Sequence, residues 1–316
     1  MAPLKILLLK GGDSSEREVS LSSGARVGAA LRERGHAVTE ADPAGDAFAV
    51  LPAARAAQVV WMALHGGAGE DGTIQAMFDL AGVTYTGSGH LASAIAMDKD
   101  LSKILFRAGG VPTADWLMLR AGGSEDWKSS AYVRRATSTL GLPLVVKPSK
   151  QGSTVGLSIV KATEQLVPAI VEAFKHDDEV MLEAYVPGRE LTVGILGAWV
   201  MPVGEIIPKH EIYDYECKYT AGMAEEIFPA QLPDAVRDEA QRLARRAYEA
   251  LKLRGCARID FRLHPDGRLF CLEANTLPGM TGTSLVPQAA LADGVSFPEL
   301  CERIALDALE ARGTNG

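Results

Sequence analysis

Apolar runs of strand length alternate with helical patterns in the N-terminal third of the chain, and this alternation restricts the folds available to it. Leu4–Lys10 and Val59–Leu64 each have the length and composition of a buried strand, and each is followed by a glycine-rich turn. A helix is predicted to begin between them near Ser15, which forms a capping box with Glu18. Because parallel strands need a crossover connection, this order is typical of a parallel sheet. The sequence therefore predicts an α/β fold.

Two further segments follow this N-terminal part of the chain. A helix is predicted over Ala92–Ala108, and a buried strand over Pro143–Val146 leads into a glycine-containing loop. The third segment begins with a strand at Val180–Val186 and contains a helix at Asp234–Lys252, whose apolar residues recur at helical spacing. The predicted domains are residues 1–97, 98–182 and 183–316.

Composition and charge exclude several classes of protein. The 316 residues are 47% hydrophobic and 23% charged, and the net charge of −8 provides no positive footprint for nucleic acid or an anionic membrane surface. No apolar stretch approaches the roughly 18 residues of a membrane helix, and the N-terminal run is too short for a signal peptide. Four cysteines without a CxxC pair are expected to be reduced thiols. We therefore expect a cytoplasmic protein with no nucleic-acid or membrane partner.

A hairpin in the last third of the chain carries the most informative polar residues. Two runs of alternating apolar and polar residues flank the turn signal His264–Gly267. A two-residue loop pairs Asp260 with Glu273 and Arg258 with Asn275. A four-residue loop also keeps these four residues on one face, whereas a three-residue loop with a bulge does not. We predict a register that keeps them together.

Two carboxylates and an amide oxygen on one face favour a cation site. Asp260, Glu273 and Asn275 provide hard oxygen ligands, and Mg²⁺ held by carboxylates and substrate phosphates is the natural occupant. Leu272 is expected to face the core on the opposite side of its strand. On the hairpin alone, a solvated face with an ordinary ion pair between Arg258 and Asp260 remains the alternative.

The loop Lys147–Gly156 is a candidate anion site. It follows a buried strand and combines lysine with glycine and hydroxyl residues, so that backbone N–H groups can converge on an anion. The GxxxxGK[ST] spacing of a Walker A motif is absent. A flexible surface loop is the alternative interpretation.

A second glycine pattern competes with this one. Gly87–Ala92 matches G-x-G-x-x-A, which by itself suggests a dinucleotide-binding oxidoreductase. The acidic residue expected about 20 residues later is missing around Arg107–Gly110. We therefore interpret the match as chance, or as a helix start capped by Ser88.

Short motifs with polar and glycine residues occur in a fixed order along the chain. They are Glu16–Ser20 after a double glycine, Leu64–Gly66, Gly69–Gly72, Tyr85–Ser88, Met97–Lys99, Lys147–Ser149 with Gly152 and Ser153, Tyr213–Glu216 with Lys218 and Tyr219, Arg258–Asp260, Glu273–Thr276, Pro278–Thr281, and Ser284 with Leu285. In this order the set resembles the D-alanine–D-alanine ligases of the ATP-grasp superfamily.

The resemblance implies both a fold and a reaction. The fold is α/β, with an N-terminal Rossmann-like parallel-sheet domain followed by a two-domain ATP-grasp. The reaction joins two D-alanines through a D-alanyl phosphate for peptidoglycan precursor synthesis. ATP and two Mg²⁺ ions, which Mn²⁺ can replace, are the implied cofactors, and a homodimer is the implied assembly.

The resemblance also assigns residues to the nucleotide and the metal. Lys99, Lys147, Gly152 and Lys218 are expected at the ATP phosphates. The backbone of Glu183, Ala184 and Val186 is expected at adenine. Glu190 is expected at the ribose hydroxyls, with a solvated strand-end carboxylate as its alternative role. Asp260, Glu273 and Asn275 are expected to hold the two Mg²⁺ ions.

The remaining implied roles concern the reacting amino acids. Arg258 and the N–H of Gly279 are expected to stabilise the tetrahedral oxyanion, although Arg258 can instead be a structural partner of Asp260. Glu16 is expected to bind the first ammonium group, in a hydrogen-bonded set with Ser153 and Tyr219. His65 is expected near the first substrate, with a structural role as its alternative. Ser284 and Leu285 are expected at the second substrate.

Two features of the sequence qualify this assignment. Lys10 stands where a small or apolar residue is expected, which leaves detail of the first substrate pocket open. Tyr219 is absent from relatives that make D-alanyl-D-lactate, so its presence favours the dipeptide. A D-lactate or D-serine ligase of the same fold and a non-catalytic nucleotide-binding regulator are the competing interpretations of the whole chain.

Overall fold

The computed structural model describes residues 2–152, 154–210 and 222–313. The predicted site residues Ser153, Lys218 and Tyr219 lie outside the described residues. Within the described ranges, no helix combines the length and the apolar character that crossing a membrane would need.

The N-terminal part of the chain forms the predicted parallel sheet. Its strands are β1 (Lys5–Leu9), β2 (Ala37–Ala41) and β3 (Val59–Met62), in the order β2-β1-β3. Helices α1 (Arg17–Glu33), α2 (Leu51–Ala56) and α3 (Thr73–Ala81) connect and follow the strands. The central strand β1 is apolar and buried along nearly its whole length, as a strand covered on both faces must be.

The predicted capping box at the start of α1 is wrong. The helix begins at Arg17 with Glu16 at the N-cap position, and no side chain caps it. Ser14 Oγ instead accepts a hydrogen bond from Glu16 N at 3.1 Å. The helix therefore starts later than predicted, directly after Glu16.

The single helix predicted over Ala92–Ala108 is two helices, α4 (His90–Met97) and α5 (Lys99–Ala108). Asp98 between them is extended, with φ −83° and ψ 104°, and its carboxylate caps α5 by accepting from Leu101 N at 3.0 Å. Apolar periodicity continued through this break, so it did not reveal the cap.

The predicted cap at Ser88 is also wrong. Gly89 occupies the N-cap position of α4 and no side chain caps this helix. The Ser88 hydroxyl instead donates to the carbonyl oxygen of Arg254 at 3.2 Å. Ser88 therefore ties the start of α4 to the loop before the last hairpin.

A second, antiparallel sheet follows. Its strands are β4 (Trp116–Arg120), β5 (Leu144–Pro148), β6 (Ser158–Val160) and β7 (Glu179–Ala184), in the order β4-β7-β5-β6. Helices α6 (Ser130–Leu140) and α7 (Leu166–Ala173) bury their apolar residues against it in one core. The strand β7 crosses residue 182, and the domain bounds given above stay predictions.

The largest sheet contains the last third of the chain. Its strands are β8 (Arg189–Leu196), β9 (Trp199–Val200), β10 (Gly204–Pro208), β11 (Ala224–Ile227), β12 (Cys256–Leu263) and β13 (Leu269–Asn275). They are antiparallel in the order β11-β10-β8-β12-β13, and β9 pairs with β8. Helix α8 (Asp234–Ala250) packs on this sheet, as its predicted apolar face requires.

The two terminal helices return to the N-terminal sheet. Helices α9 (Leu285–Ala292) and α10 (Phe297–Gly313) share one hydrophobic core with β1, β3 and α1. Trp61 Nε1 on β3 donates to the carbonyl oxygen of Cys301 on α10 at 3.2 Å. This shared core holds the last hairpin beside the carboxyl ends of the parallel strands.

The last hairpin has the predicted pairs but a different turn. Asp260 lies opposite Glu273, and Arg258 lies opposite Asn275. Near the turn, however, the pairs Leu263–Leu269 and Phe261–Cys271 follow the register of a three-residue loop. Leu272 is then the extra residue of a bulge opposite the step from Phe261 to Asp260, and this bulge restores the predicted pairs. Two irregularities thus cancel, which the loop length alone could not reveal.

The bulge changes which side chains face the core. Cys271 is fully buried, whereas Leu272, predicted to be in the core, lies on the cleft wall beside Glu273. One inserted residue puts two consecutive side chains on the same side of a strand.

Gly188 offers a test of how closely β8 approaches β12. Its φ is +117°, and a Cβ there would collide with the carbonyl oxygen of Leu263. Gly267 has φ +89°, but a Cβ on that residue would meet no atom within 4 Å. Urea unfolding should show that Gly188→Ala lowers the free energy of unfolding by about 2 kcal/mol more than Gly267→Ala, because only the former adds a backbone clash to the conformational strain.

Equal losses for the two variants would contradict the close approach of the two strands. The slope of the unfolding free energy against urea concentration should be the same for both variants, so that the difference between them reports stability alone.

Candidate active site

Two neighbouring cavities lie beside β12 and contain most of the described residues predicted for the site. The apolar cleft lies between the second sheet and the last hairpin. It is lined by Lys99, Val145, Lys147, Leu157, Glu183, Ala184, Tyr185, Val186, Glu190, Arg262, Leu272 and Glu273, among others. The polar pocket lies between the N-terminal domain and the same hairpin. Its lining includes Glu16, His65, Glu70, Gly152, Arg258, Asn275, Gly279, Ser284 and Leu285.

A buried group of charges forms the floor of the apolar cleft. Glu183 on β7 accepts from Lys147 Nζ on β5 at 2.6 Å and also from Lys103 Nζ on α5. Lys103 is fully buried and donates in addition to Thr113 Oγ1 at 2.7 Å. Burial raises the pKa of Glu183, but the charges of Lys103 and Lys147 outweigh it and lower that pKa to about 2. Glu183 is therefore an ionised acceptor at the cleft.

Lys99 connects the candidate anion-binding loop Lys147–Gly156, called the anion loop below, with the last hairpin. It is the first residue of α5, and its Nζ donates to the carbonyl oxygen of Gln151 at 2.7 Å. The same atom lies 3.6 Å from Oε2 of Glu273. Lys99 and Lys147 thus bring two positive charges to one end of the cleft.

Glu190 and Arg262 face each other across β8 and β12 at the other end of the cleft. Arg262 Nη1 lies 3.2 Å from Oε2 of Glu190, and both side chains are 13% exposed. Arg262 Nε also donates to the carbonyl oxygen of Val186 at 3.2 Å. Glu190 is therefore a paired cleft residue rather than a solvated strand-end carboxylate.

Asp260 is held by several hydrogen bonds. It accepts from Thr192 Oγ1 at 2.8 Å, from Asn275 Nδ2 at 3.0 Å, and from Nε and Nη2 of Arg258 at 3.0 and 2.9 Å. The ion pair offered above as the alternative role of Arg258 is present. Arg258 also lines the polar pocket, so the ion pair does not remove it from the site.

The oxygen atoms around Asp260 suit Mg²⁺. The described residues contain no group of three or more His, Cys, Asp or Glu side chains that could hold a metal. Asp260 and Glu273 supply two carboxylates, and Asn275, which donates through Nδ2, keeps its amide oxygen for a cation. Mg²⁺ is commonly bound by one or two carboxylates together with substrate phosphates and water, so this short ligand set fits the ion.

His65 is held rigidly in the polar pocket. Its Nδ1 lies 3.2 Å from the carbonyl oxygen of Leu277, and its Nε2 lies 3.0 Å from Ser23 Oγ. A carbonyl oxygen can only accept, so Nδ1 donates to the Leu277 carbonyl. Glu70 lies 3.9 Å from Nδ1; it belongs to the Gly69–Gly72 motif, but the sequence analysis gave it no role. The structural role considered for His65 is therefore real, and the residue also lines the pocket.

Glu16 brings a carboxylate to the meeting point of three segments. It lines the polar pocket beside Gly66 and Gly152. Gly152 was expected at the nucleotide phosphates, but it borders the polar pocket rather than the apolar cleft. The anion loop thus reaches across to Glu16.

Gly279 and Ser284 form a tight turn before α9. A Cβ at Gly279 would lie 2.8 Å from Ser284 Oγ, so the turn has no space for a side chain. Ser284 Oγ accepts from Thr281 N at 2.8 Å and exchanges a second hydrogen bond with Thr281 Oγ1. Leu285 follows in the pocket wall and is buried.

Several residues of the site were not identified from the sequence. Lys103 lies one helical turn after Lys99, and Arg262 continues the alternation of Arg258 and Asp260, so both had a spacing signal. Lys10, which departed from the family pattern, pairs with Glu40 and lies outside both cavities. Lys10 therefore does not line the polar pocket.

Comparison with known proteins agrees with this arrangement. The family model described as "D-ala D-ala ligase N-terminus" matches residues 39–88, and "D-ala D-ala ligase C-terminus" matches residues 105–305. A protein of Pelobacter propionicus named D-alanine–D-alanine ligase is 46% identical over 305 residues, covering 96% of each chain.

Solved structures give the same result. The D-alanine–D-alanine ligase of Bacillus anthracis complexed with ATP has a TM-score of 0.86 and 32% identity, covering 100% of both chains. The VanG D-Ala:D-Ser ligase of Enterococcus faecalis has a TM-score of 0.83 and 27% identity, covering 97% of this chain and 100% of that one. The predicted fold class is confirmed, and the chain belongs to the D-alanine–D-alanine ligase family of ATP-grasp proteins.

Proposed function

We propose that this protein is an ADP-forming ligase that joins two molecules of D-alanine through a D-alanyl phosphate, as a step in peptidoglycan precursor synthesis. The observation that most supports it is the single strand β12, which lines both cavities. Arg258 faces the polar pocket and Arg262 faces the apolar cleft, with Asp260 between them. An amino acid in the pocket and a nucleotide in the cleft would therefore meet at Asp260.

ATP has an apolar base at one end and charged phosphates at the other, and the cleft has apolar walls and two lysines, so the two match in polarity. Adenine would lie against the apolar walls, next to the backbone of Glu183, Ala184 and Val186, and the ribose hydroxyls would donate to Glu190. Lys99 and Lys147 would bind the phosphates at the opposite end. Gly152 belongs to the anion loop and lines the polar pocket, so it would cover the γ-phosphate where the two cavities meet. Lys218 is proposed to join it there.

Asp260, Glu273 and Asn275 would hold two Mg²⁺ ions, or Mn²⁺ as a substitute. Bound there, the ions would neutralise negative charge on the β- and γ-phosphates. The hydrogen bonds that Asp260 accepts from Thr192 and Arg258 fix its carboxylate beforehand, which is a common arrangement for metal ligands.

In the first step, a carboxylate oxygen of the first D-alanine attacks the γ-phosphorus. A bond forms between carboxylate oxygen and phosphorus, the bond to the β–γ bridging oxygen breaks, and ADP leaves. Positive charges placed in advance stabilise the charge spread over the phosphoryl oxygens, and Lys99 and Lys147 supply them. Glu16 is proposed to bind the ammonium group of this substrate, and His65 is proposed to lie near the substrate.

In the second step, the amine of the other D-alanine attacks the carbonyl carbon of the acyl phosphate. The amine loses a proton, the tetrahedral oxyanion collapses, and inorganic phosphate leaves. Arg258 and the N–H of Gly279 are proposed as the oxyanion donors. Ser284 and Leu285 are proposed at the second substrate. Ser153 and Tyr219 are proposed to complete a hydrogen-bonded set with Glu16, which orients the substrate and passes on the proton of the amine.

The surroundings and assembly of the enzyme form part of the same proposal. We infer a cytoplasmic homodimer that binds no nucleic acid, since the family resemblance implies the dimer and the net charge of −8 disfavours nucleic acid. Light scattering in solution would measure the assembly directly.

The reaction can be tested by phosphate release from MgATP with D-alanine, L-alanine, D-alanine plus D-serine, and D-alanine plus D-lactate. We expect release with D-alanine alone and a product with the mass of D-alanyl-D-alanine. L-Alanine should give no release above background. A D-alanyl-D-serine or D-alanyl-D-lactate product in preference to the dipeptide would contradict the acceptor assignment, and the D-serine product would favour a reaction of the VanG kind.

Glu273→Gln tests the metal assignment. The change keeps the size of the side chain but removes a negative charge from the Mg²⁺ site, so kcat should fall by at least about 100-fold. Glu249→Gln on α8, an exposed position behind the same sheet, is the matched control and should retain full activity. Near-wild-type turnover of a folded Glu273→Gln protein would rule out Glu273 as a metal ligand.

A further inference from the structure

We propose that Arg262 is a positioning residue for the nucleotide, which acts by holding Glu190 in place to read the ribose hydroxyls. The inference rests on the proposed binding of ATP in the apolar cleft. It adds a determinant of nucleotide selectivity that lies outside the lysines and the metal-binding residues.

The register of the large sheet supports this role. Arg262 on β12 lies directly opposite Glu190 on β8, and both side chains line the cleft. Opposed residues of an antiparallel pair have Cβ atoms about 5 Å apart, so their side chains can meet without bending either strand. The distance of 3.2 Å between Arg262 Nη1 and Glu190 Oε2 is the result.

Arg262 also holds the connection between the second sheet and the large sheet. Its Nε donates to the carbonyl oxygen of Val186, in the segment between β7 and β8. The guanidinium group lies 6.0 Å from the centroid of the Tyr185 ring. One rigid, planar cation therefore contacts the proposed ribose acceptor and the backbone beside the proposed adenine site.

The charge of Arg262 matters as well as its geometry. Glu190 is largely buried, and a carboxylate removed from water needs a partner to stay ionised and fixed. An ionised, oriented carboxylate accepts from a hydroxyl more strongly than a mobile one. Arg262 thus prepares Glu190 to accept from the ribose before the nucleotide arrives.

A test compares binding of ATP and 2′-deoxy-ATP by calorimetry with the full chain and Mg²⁺. The intact protein should bind 2′-deoxy-ATP about tenfold more weakly, since it loses one hydrogen bond to a charged acceptor. Arg262→Met should weaken ATP binding about tenfold but 2′-deoxy-ATP binding less than about threefold. The ratio of the two dissociation constants should therefore fall towards one.

Arg268→Met is the matched control. Arg268 belongs to the same hairpin, but it is exposed and pairs with Asp266 at the turn. Its removal should leave both dissociation constants and their ratio unchanged. Arg262→Lys keeps the positive charge but lacks the planar guanidinium group, so it should restore part of the ratio of the two dissociation constants. It also provides the same comparison if Arg262→Met does not fold.

Two results would overturn the proposal. If Arg262→Met weakens ATP and 2′-deoxy-ATP equally, Arg262 acts on a part of the nucleotide that the two share, such as a phosphate. If the losses of ATP affinity caused by Arg262→Met and by Glu190→Gln add fully in the double variant, the two residues act independently. Failure of the intact protein to bind ATP at all would instead refute the proposed function, so the two failures are distinguishable.

Discussion

The antiparallel pairing of β12 with β8 and β13 is the constraint on which the site depends. Side chains two residues apart share one face of a strand, so Arg258, Asp260 and Arg262 form a row about 14 Å long. Strand pairing supplies each of the three with a neighbour: Asn275 lies opposite Arg258, Glu273 opposite Asp260, and Glu190 opposite Arg262. The row extends from the polar pocket to the apolar cleft, which means that backbone hydrogen bonds set the spacing between the two cavities.

The buried charges beside this row join the second sheet to the site. Glu183 shares its carboxylate between Lys147 and Lys103, which come from a strand and a helix respectively. Burying ions is expensive unless each has a partner, and a net positive group of this kind favours an anion nearby. Binding of phosphates would supply that anion. The same ion pairs therefore serve packing in the described structure and nucleotide binding in the proposed reaction.

Much of the architecture was evident from residue order. The strand–helix alternation predicted the N-terminal parallel sheet, and the spacing in the last hairpin predicted that Asp260 and Glu273 meet. The kinds of residue at the site were also evident, because hard oxygen ligands, lysines and a glycine loop suit phosphates and Mg²⁺ whatever the fold around them. These inferences depend on period and chemistry, which a single chain carries in its order.

Other features could not be predicted from periodicity or from the sequence of one segment alone. The break at Asp98 is invisible to periodicity, because apolar residues continue through it while a side-chain cap ends one helix and begins the next. The bulge that turns Leu272 towards the cleft is fixed by the pairing of the two strands, because the three-residue loop without the bulge would give another register. The sequence thus determined the strands, the helices and the chemical groups available, whereas long-range packing decided the partners of Glu183 and the side on which Gly152 lies, because a local pattern carries no information about distant neighbours.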